Sequence, residues 1–328
     1  MTGGGANPAP GAAPFPDDDY LNALRWFAPC HAHHCRNHRP KIDFFTTSQV
    51  RRMKFTPQLP HASRRQLIRQ YDDIYALSAM TPDEHLLMSR EKLYLNYGVR
   101  DADLYRTSER ITIALEILVD DRLRGKTILD YGCGSAKAGV VFAQEGAQVF
   151  GFDISTQSIQ LGMRRAKVNG VEQQVNLVVA SGDKLPFGSA TLDYVFGYEV
   201  LYYLNGKLDF SPEILRVLKP GGKAVFCEAL GGNPLLATVR AILRMVTRTI
   251  NRSGGIAFTP REIRSAFTGA SKVEILPVNA LAMAKRVLSG RDPVSTGVLA
   301  ALKRIDSWLT RYPVGKVLCG EVVIVVIK

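Results

Sequence analysis

Two acidic residues and a pair of glycines follow two short apolar runs near the middle of the chain. The first run, residues 128–130, ends in Asp130, and the turn Gly132-Cys133-Gly134 follows at once. The second run ends in Asp153, about twenty residues past the glycines, where nucleotide-binding folds place an acid that accepts hydrogen bonds from ribose hydroxyls. Each run predicts a buried parallel strand, and the glycines let a ligand approach the backbone. The spacing indicates a nucleotide-binding site.

The helix after the turn completes this unit and narrows the choice of ligand. Val140, Val141 and Phe142 continue an apolar helical pattern directly after the glycines. The dinucleotide fingerprint needs glycine at its sixth position, where Lys137 stands, and the Gly-Lys-Ser/Thr of a phosphate-binding loop is absent. The alternative is an ordinary turn, but the preceding strand with both acids in register favours a ligand site.

Residues 129–134, Leu-Asp-Tyr-Gly-Cys-Gly, resemble motif I of the class I S-adenosylmethionine-dependent methyltransferases. The run Leu-Lys-Pro-Gly-Gly at residues 218–222, followed by an apolar strand, resembles a second hallmark of that family. The resemblance covers residues 126–230 closely and the rest only in outline. It implies S-adenosylmethionine as the cofactor, with no metal expected. The cofactor-binding residues that it implies are Asp130, Tyr131, Gly132, Cys133, Gly134, Asp153, Ile154, Ser181, Gly182, Asp183, Tyr198 and Tyr97.

Two positions depart from the family pattern. The family places an Asp four residues before a Leu-Pro-Phe run in the loop that holds adenine, but here that position is Ser181, and Asp183 is displaced by two. A serine hydroxyl can still accept a hydrogen bond from the adenine amino group. Ala136 stands where many members have a third glycine, which predicts a slightly wider turn.

The acceptor side is predicted to follow the strand at residues 193–198. Ligands of open parallel sheets bind beyond the carboxyl ends of the strands where the strand order reverses. We therefore expect Glu199, Tyr202 and Tyr203 to face the transferable methyl group. Glu199 is the candidate general base, and either tyrosine is a candidate for positioning the acceptor. Two alternatives stay open: Glu199 only orders the cofactor's amino group or a loop, and an amine or carbon acceptor needs no base.

The resemblance also predicts the fold and the domains. We expect an α/β, doubly wound, Rossmann-like sheet of seven strands in the order 3-2-1-4-5-7-6, with an antiparallel last strand at residues 321–327. Residues 125–328 are expected to form the methyltransferase domain, with a helical acceptor-side insertion at 231–270. Residues 61–124 are helical in pattern and predict a lid, in which Tyr97 would cross the methionine end of the cofactor.

Residues 1–60 are predicted to be largely disordered. The first residues are rich in Gly, Pro and Ala, which cannot form a core. Cys30, Cys35 and four histidines crowd into residues 30–38, a density that can hold a soft divalent metal. No second ligand pair of zinc-finger spacing follows, so we interpret the segment as a His-rich loop without metal.

Composition and charge bound the partners. The 328 residues are 46% hydrophobic, with no apolar run long enough to span a membrane and no signal-peptide pattern at the start. An odd count of 5 cysteines favours a reducing compartment, and we expect a cytoplasmic enzyme.

The net charge is +12, and fourteen basic residues against four acidic ones fall between Arg240 and Lys316. Within 235–252, Arg240, Arg244, Arg248 and Arg252 predict a basic amphipathic helix that contacts an anionic membrane or an acidic substrate. The alternative is a solvated face that keeps the protein soluble.

Small-molecule methylation, on O, N or C, is the function that these observations favour. A nucleic-acid methyltransferase is a rival because of the basic surface, but the Asn/Asp-Pro-Pro-aromatic motif of adenine methylases does not follow the strand at 193–198. No dedicated nucleic-acid module is recognisable. A non-catalytic protein that binds S-adenosylmethionine is a second rival, motivated by Ser181 and Ala136.

Overall fold

The structure of the protein is a computed structural model. It describes residues 67–69, 71–73, 75–76, 81–96, 109–119, 123–182, 184–201, 210–231, 258–278, 301, 304–306, 308–312, 316 and 318–328.

Seven strands form one sheet in the order β3-β2-β1-β4-β5-β7-β6. Strands β1 to β5 pair in parallel, and β7 lies antiparallel between β5 and β6. This confirms the predicted fold class, strand order and antiparallel last strand. The strand bounds are β1 Thr127–Tyr131, β2 Gln148–Asp153, β3 Val175–Val179, β4 Leu192–Tyr198, β5 Leu218–Ala229, β6 Lys272–Val278 and β7 Glu321–Ile327.

Helices precede the sheet and alternate with its strands. Their bounds are α1 Asp83–Leu86, α2 Arg90–Asn96, α3 Glu109–Val119, α4 Lys137–Gln144, α5 Thr156–Val168, α6 Ser211–Val217 and α7 Pro260–Ala266. Residues 67–69, 71–73 and 75–76 are also helical. Between residues 61 and 124, the described residues are helical except at 81–82, 87–89 and 123–124.

Two apolar clusters cover the two faces of the sheet. Successive side chains of a strand point to opposite faces, so Leu129 of β1 packs in one cluster and Ile128 in the other. The cluster around Leu129 includes Ile214 of α6, while the cluster around Ile128 includes Phe142 of α4. Helices on both faces bury the parallel strands, as a doubly wound sheet requires.

Strand β5 begins earlier than the apolar strand that the sequence predicts after the Leu-Lys-Pro-Gly-Gly run at residues 218–222. The strand begins at Leu218 and includes the Pro-Gly-Gly run. The N–H of Gly221 donates to the carbonyl of Lys328 at 3.0 Å, and the N–H of Lys328 donates to the carbonyl of Gly222 at 3.0 Å. Pairing with Lys328 therefore extends the strand ladder back to the glycines of this run.

No helix among the described residues is both long and apolar enough to cross a membrane.

Candidate cofactor and acceptor site

The glycine turn after β1 follows a backbone path that favours glycine. Gly132 and Gly134 have φ of 69° and 50°. A Cβ on Gly132 would lie 2.5 Å from Cγ2 of Val200, so no larger residue fits there without moving the segment after β4. Ala136 also adopts the left-handed region, with φ of 54°. The missing third glycine is therefore accommodated by a strained alanine.

Asp153 at the end of β2 ties the turn to the next helix. One carboxylate oxygen accepts from the N–H of Gly134 at 3.0 Å, and the other accepts from the N–H of Ser155 at 2.9 Å. Loss of solvent around the carboxyl raises the pKa of Asp153 to about 6, against the lowering effect of these two hydrogen bonds. Asp153 thus lies beside the glycine turn, as the sequence predicts.

Asp130 and Cys133 are buried parts of the same turn. Asp130 accepts from the N–H of Gly139 in α4 at 3.2 Å, and burial raises the pKa of its carboxyl to about 7. Burial also raises the pKa of the Cys133 thiol, and its Sγ donates to the carbonyl of Gly134. Asp130 is 1% exposed and Cys133 is 5% exposed, so both side chains support the turn from the protein interior.

Tyr131 braces the loop predicted to hold adenine. Its hydroxyl donates to the carbonyl of Gly182 at 2.9 Å, and its ring packs edge-on against Phe152 with centroids 4.7 Å apart. A Cβ on Gly182 would collide with the Tyr131 hydroxyl, so glycine is needed there. Ser181 and Ile154 are half-buried near the ends of β3 and β2, at the same edge of the sheet. The structure therefore brings these predicted cofactor residues to one edge.

The candidate acceptor side lies at the end of β4, next to β1. Glu199 follows β4 with φ of 50°, and its N–H donates to the carbonyl of Cys227 at 2.8 Å. Glu228 at the end of β5 accepts from the N–H groups of Val200 and Leu201 at 2.9 and 2.8 Å, and burial raises the pKa of Glu228 to about 8. The backbone of Cys227 and the side chain of Glu228, both in β5, thus hold the segment that carries Glu199.

Arg110 of α3 is a buried residue at this site that the sequence reading did not single out. Its Nη2 donates to Oε1 of Glu199 at 2.8 Å and to the hydroxyl of Tyr198 at 3.1 Å. The same nitrogen lies 3.2 Å from a carboxylate oxygen of Glu321 in β7. The only sequence signal was an arginine at the start of an apolar helix, which is ordinarily a surface position.

The helical residues between 67 and 76 lie over the glycine turn. Asp72 accepts from the hydroxyl of Ser155 at 2.7 Å and from the N–H of Gln157 at 3.3 Å. Tyr75 is buried, and a Cβ on Gly134 would lie 2.8 Å from its hydroxyl. Burial and the nearby Asp153 raise the pKa of the Tyr75 hydroxyl. The sequence pattern indicated only that Tyr75 belongs to an apolar helix face.

Four predicted site residues lie outside the described part of the chain: Tyr97, Asp183, Tyr202 and Tyr203. The Cys30–His38 cluster also lies outside it. Within the described ranges, no group of three or more metal-binding side chains occurs.

The residues at this edge fit S-adenosylmethionine better than a dinucleotide. Carboxylates of Asp153 and Glu199 flank the turn, and such groups accept from ribose hydroxyls and attract the positive ammonium and sulfonium groups of that molecule. Dinucleotide-binding folds place an acid like Asp153 on a ribose too, so the discriminating residue is Lys137, which stands where the dinucleotide fingerprint needs glycine. The left-handed glycines leave the backbone N–H and C=O groups of the turn without a Cβ over them.

Comparison with known proteins supports this fit. The family model described as a methyltransferase domain matches residues 129–226. A ubiquinone biosynthesis O-methyltransferase from Idiomarina loihiensis is 30% identical over 197 residues, which cover 57% of this chain and 78% of the relative. The O-methyltransferase rstn1 of Aspergillus nomiae is 30% identical over 132 residues, 39% of this chain and 59% of the relative.

Solved structures show the same fold. A geranyl diphosphate C-methyltransferase from Streptomyces coelicolor, in complex with Mg²⁺, geranyl diphosphate and S-adenosyl-L-homocysteine, matches with a TM-score of 0.53 and 15% identity, over 83% of this chain and 99% of that one. The fold, the glycine turn and these matches define the class. The chain belongs to the class I S-adenosylmethionine-dependent methyltransferase family. It spans only 31% to 59% of the length of the first five curated relatives.

Proposed function

We propose that the protein transfers a methyl group from S-adenosylmethionine to a hydroxyl, amine or carbon of a small-molecule acceptor. The observation that carries the proposal is the placement of the glycine turn, Asp153 and Glu199 at one edge of the sheet. β1 and β4 are neighbours in the sheet, and Val200 packs against Gly132, so the proposed cofactor and acceptor groups adjoin.

The residues proposed to hold the cofactor divide by task. Asp153 accepts from the ribose hydroxyls, and Gly132 and Gly134 let the ligand approach the turn. Asp130, Cys133 and Tyr131 keep the turn and the 181–183 loop in shape. Ser181 and Asp183 are proposed to meet the adenine, and Ile154, Tyr198 and Tyr97 to enclose the rest.

On the acceptor side, Glu199 is proposed to receive the hydrogen of the reacting hydroxyl or amine, with Tyr202 and Tyr203 positioning the acceptor. When bound, S-adenosylmethionine supplies a methyl group that its sulfonium already activates. The chain itself has to orient the acceptor and exclude water, which accounts for the large rate gains of well-held reactants.

The test begins with native mass spectrometry of the purified protein, to detect S-adenosylmethionine or S-adenosylhomocysteine carried through purification. A screen with labelled S-adenosylmethionine then covers phenols, alcohols, amines and activated carbon acids. Label transfer to at least one class is expected. A protein that binds the cofactor and methylates none of them would support a non-catalytic role.

We also propose that the stretch 235–252 contacts an anionic partner, a membrane surface or an acidic substrate. This stretch lies outside the described residues, so its sequence carries the proposal. If the predicted helix forms, four arginines at a spacing of four repel one another along one of its faces, and no acid in 235–250 offsets them. Further along the chain, Arg304, Arg311 and Lys316 are exposed beside an exposed aromatic pair, Trp308 and Tyr312. Aromatic and basic side chains together are typical of membrane-facing surfaces.

Vesicle co-sedimentation tests the partner proposal. At low salt, anionic vesicles should pull down the protein, and a variant with all four arginines changed to glutamine should bind about 1 kcal/mol less strongly for each arginine removed. No binding by the unchanged protein, together with full activity of the variant, would contradict it. A cytoplasmic location completes the proposal, supported by Cys133, Cys227 and Cys319, which are buried free thiols.

A further inference from the structure

A buried guanidinium lies behind the candidate acceptor residue. The side chain of Arg110 is only 2% exposed, whereas that of Glu199 is 31% exposed and that of Glu321 is 11% exposed. The guanidinium carbon also stands 5.0 Å from the centre of the Tyr198 ring. One charged group therefore joins α3, the end of β4 and the start of β7.

Burying the Arg110 guanidinium lowers the stability of the fold, which indicates that its role extends beyond packing. Nε and Nη1 of Arg110 are buried and have no hydrogen-bond partner among the described residues. A buried donor without a partner destabilises a fold, and an apolar side chain of similar volume would avoid that cost. Glu199 adds strain of its own, because a glutamate with φ of 50° lies in the left-handed region.

The buried guanidinium of Arg110 and the strained Glu199 are joined by one hydrogen bond. Arg110 donates to Oε1 of Glu199, and the residue after Glu199, Val200, is the one that packs on Gly132 of the cofactor turn. Strain of this kind persists where the surroundings hold a residue in a set position. The guanidinium also places its positive charge 2.8 Å from Oε1 of Glu199.

We propose that Arg110 is a positioning residue that fixes Glu199 as an oriented carboxylate beside the methyl-transfer site, and that the acceptor group at Glu199 is a hydroxyl or an amine. This rests on the proposed function and deepens it. The charges decide the class of acceptor. Among the described residues, the positive charge of Arg110 lies against the carboxylates of Glu199 and Glu321, so this part of the cluster presents no net positive charge to a phosphate or a carboxylate. An ionised Glu199 instead accepts a hydrogen bond from O–H or N–H.

A double-mutant cycle tests the positioning role. The variants are Arg110→Met, Glu199→Gln, the two combined, and Arg110→Lys as the conservative replacement. Lys219→Met is the matched control, because it removes an ion pair with Asp193 of 2.8 Å at the opposite end of β4. Each variant is measured for its melting temperature, for S-adenosylhomocysteine affinity by calorimetry, and for kcat and KM with the acceptor that the screen identifies.

Arg110→Met should lower kcat at least about tenfold while S-adenosylhomocysteine affinity stays within about threefold. Arg110→Lys should recover part of the loss. In the Glu199→Gln background, Arg110→Met should have little further effect on kcat, since the carboxylate that Arg110 positions is already absent. Lys219→Met should leave kcat unchanged.

The proposal would be overturned if Arg110→Met lowers kcat by the same factor in the unchanged protein and in Glu199→Gln. It would also be overturned if Arg110→Met lowers the affinity for S-adenosylhomocysteine as well as the melting temperature, because that pattern indicates a general structural role. If the protein methylates a carboxylate or phosphate oxygen and no hydroxyl or amine, the proposed class of acceptor is wrong. If the unchanged protein binds no S-adenosylhomocysteine, the proposed function fails on its own. In that case the melting temperatures test the Arg110–Glu199 coupling. If the double variant loses the sum of the two single-variant losses in melting temperature, the coupling is contradicted.

Discussion

Glu228 is a residue whose protonation the fold changes. Burial raises its pKa from an ordinary 4.5 to about 8, so folding favours the protonated form. The stabilisation is complete below pH 4.5 and is lost as the pH rises through 8. In Glu228→Gln, the amide oxygen can still accept from Val200 and Leu201. Urea unfolding at pH 5, 7 and 9 should show that the unchanged protein loses ~4 kcal/mol more than the variant across this range. Parallel losses in the two proteins would contradict the assignment.

Asp153 is predicted to serve the cofactor more than the fold. Asp153→Ala removes the proposed ribose acceptor and two hydrogen bonds from the turn, so the Kd for S-adenosylhomocysteine should rise at least about tenfold. The folded domain should persist. Asp193→Ala is the matched control, since Asp193 also accepts from a backbone N–H, that of Thr127, but at the opposite end of the sheet. It should lower the melting temperature and leave the Kd unchanged. Equal effects of the two variants on Kd would argue against the role of Asp153.

At the scale of elements, two helix starts separate cofactor binding from stability. The hydroxyl of Ser155 accepts from the N–H of Ser158 at 3.1 Å at the start of α5 and donates to Asp72. The hydroxyl of Thr259 accepts from the N–H of Glu262 at 3.3 Å, within a capping box at the start of α7. Ser155→Ala and Thr259→Ala should each lower the free energy of unfolding by about 1 kcal/mol. Only Ser155→Ala should also weaken S-adenosylhomocysteine binding, because it loosens the residues beside Asp153. Binding weakened equally by Thr259→Ala would contradict this.

The sheet was predictable because local signals agreed with one another. The strand–glycine–helix unit, the acid after β2 and the apolar run of β7 each indicate the same topology, and the strand order followed from the family resemblance. The same resemblance assigns Ser181 and Gly182 to the adenine loop. Both residues follow β3 at the carboxyl end of that strand, and their contact with adenine stays a prediction.

The contacts across elements were not predictable, because they join residues far apart in the chain. Arg110 meets Glu199 across 89 residues, and Asp72 meets Ser155 across 83. Neither the period of a helix nor the spacing of a motif encodes such pairs. The left-handed φ of Ala136 was not predictable for a different reason, because a sequence pattern does not show that an alanine will adopt that conformation.

At the scale of the whole molecule, residues 1–60 are predicted to be dispensable. The described core begins at residue 67, and its contacts to the cofactor edge run through Asp72 and Tyr75. A protein without residues 1–60 should therefore unfold cooperatively and bind S-adenosylhomocysteine as tightly as the full chain. Melting curves and calorimetry on both forms provide the measurement. Stoichiometric zinc in untagged full-length protein, with loss of the fold on chelation, would instead assign the Cys30–His38 segment a structural role.

The central claim is that the edge formed by β1, β2 and β4 binds S-adenosylmethionine. Calorimetric titration of the full-length protein with S-adenosylhomocysteine, with NAD as the comparison ligand, tests it most directly. We predict saturable one-to-one binding of S-adenosylhomocysteine with a Kd on the order of micromolar, about −8 kcal/mol, and no heat with NAD. Heat with NAD and none with S-adenosylhomocysteine would contradict the account.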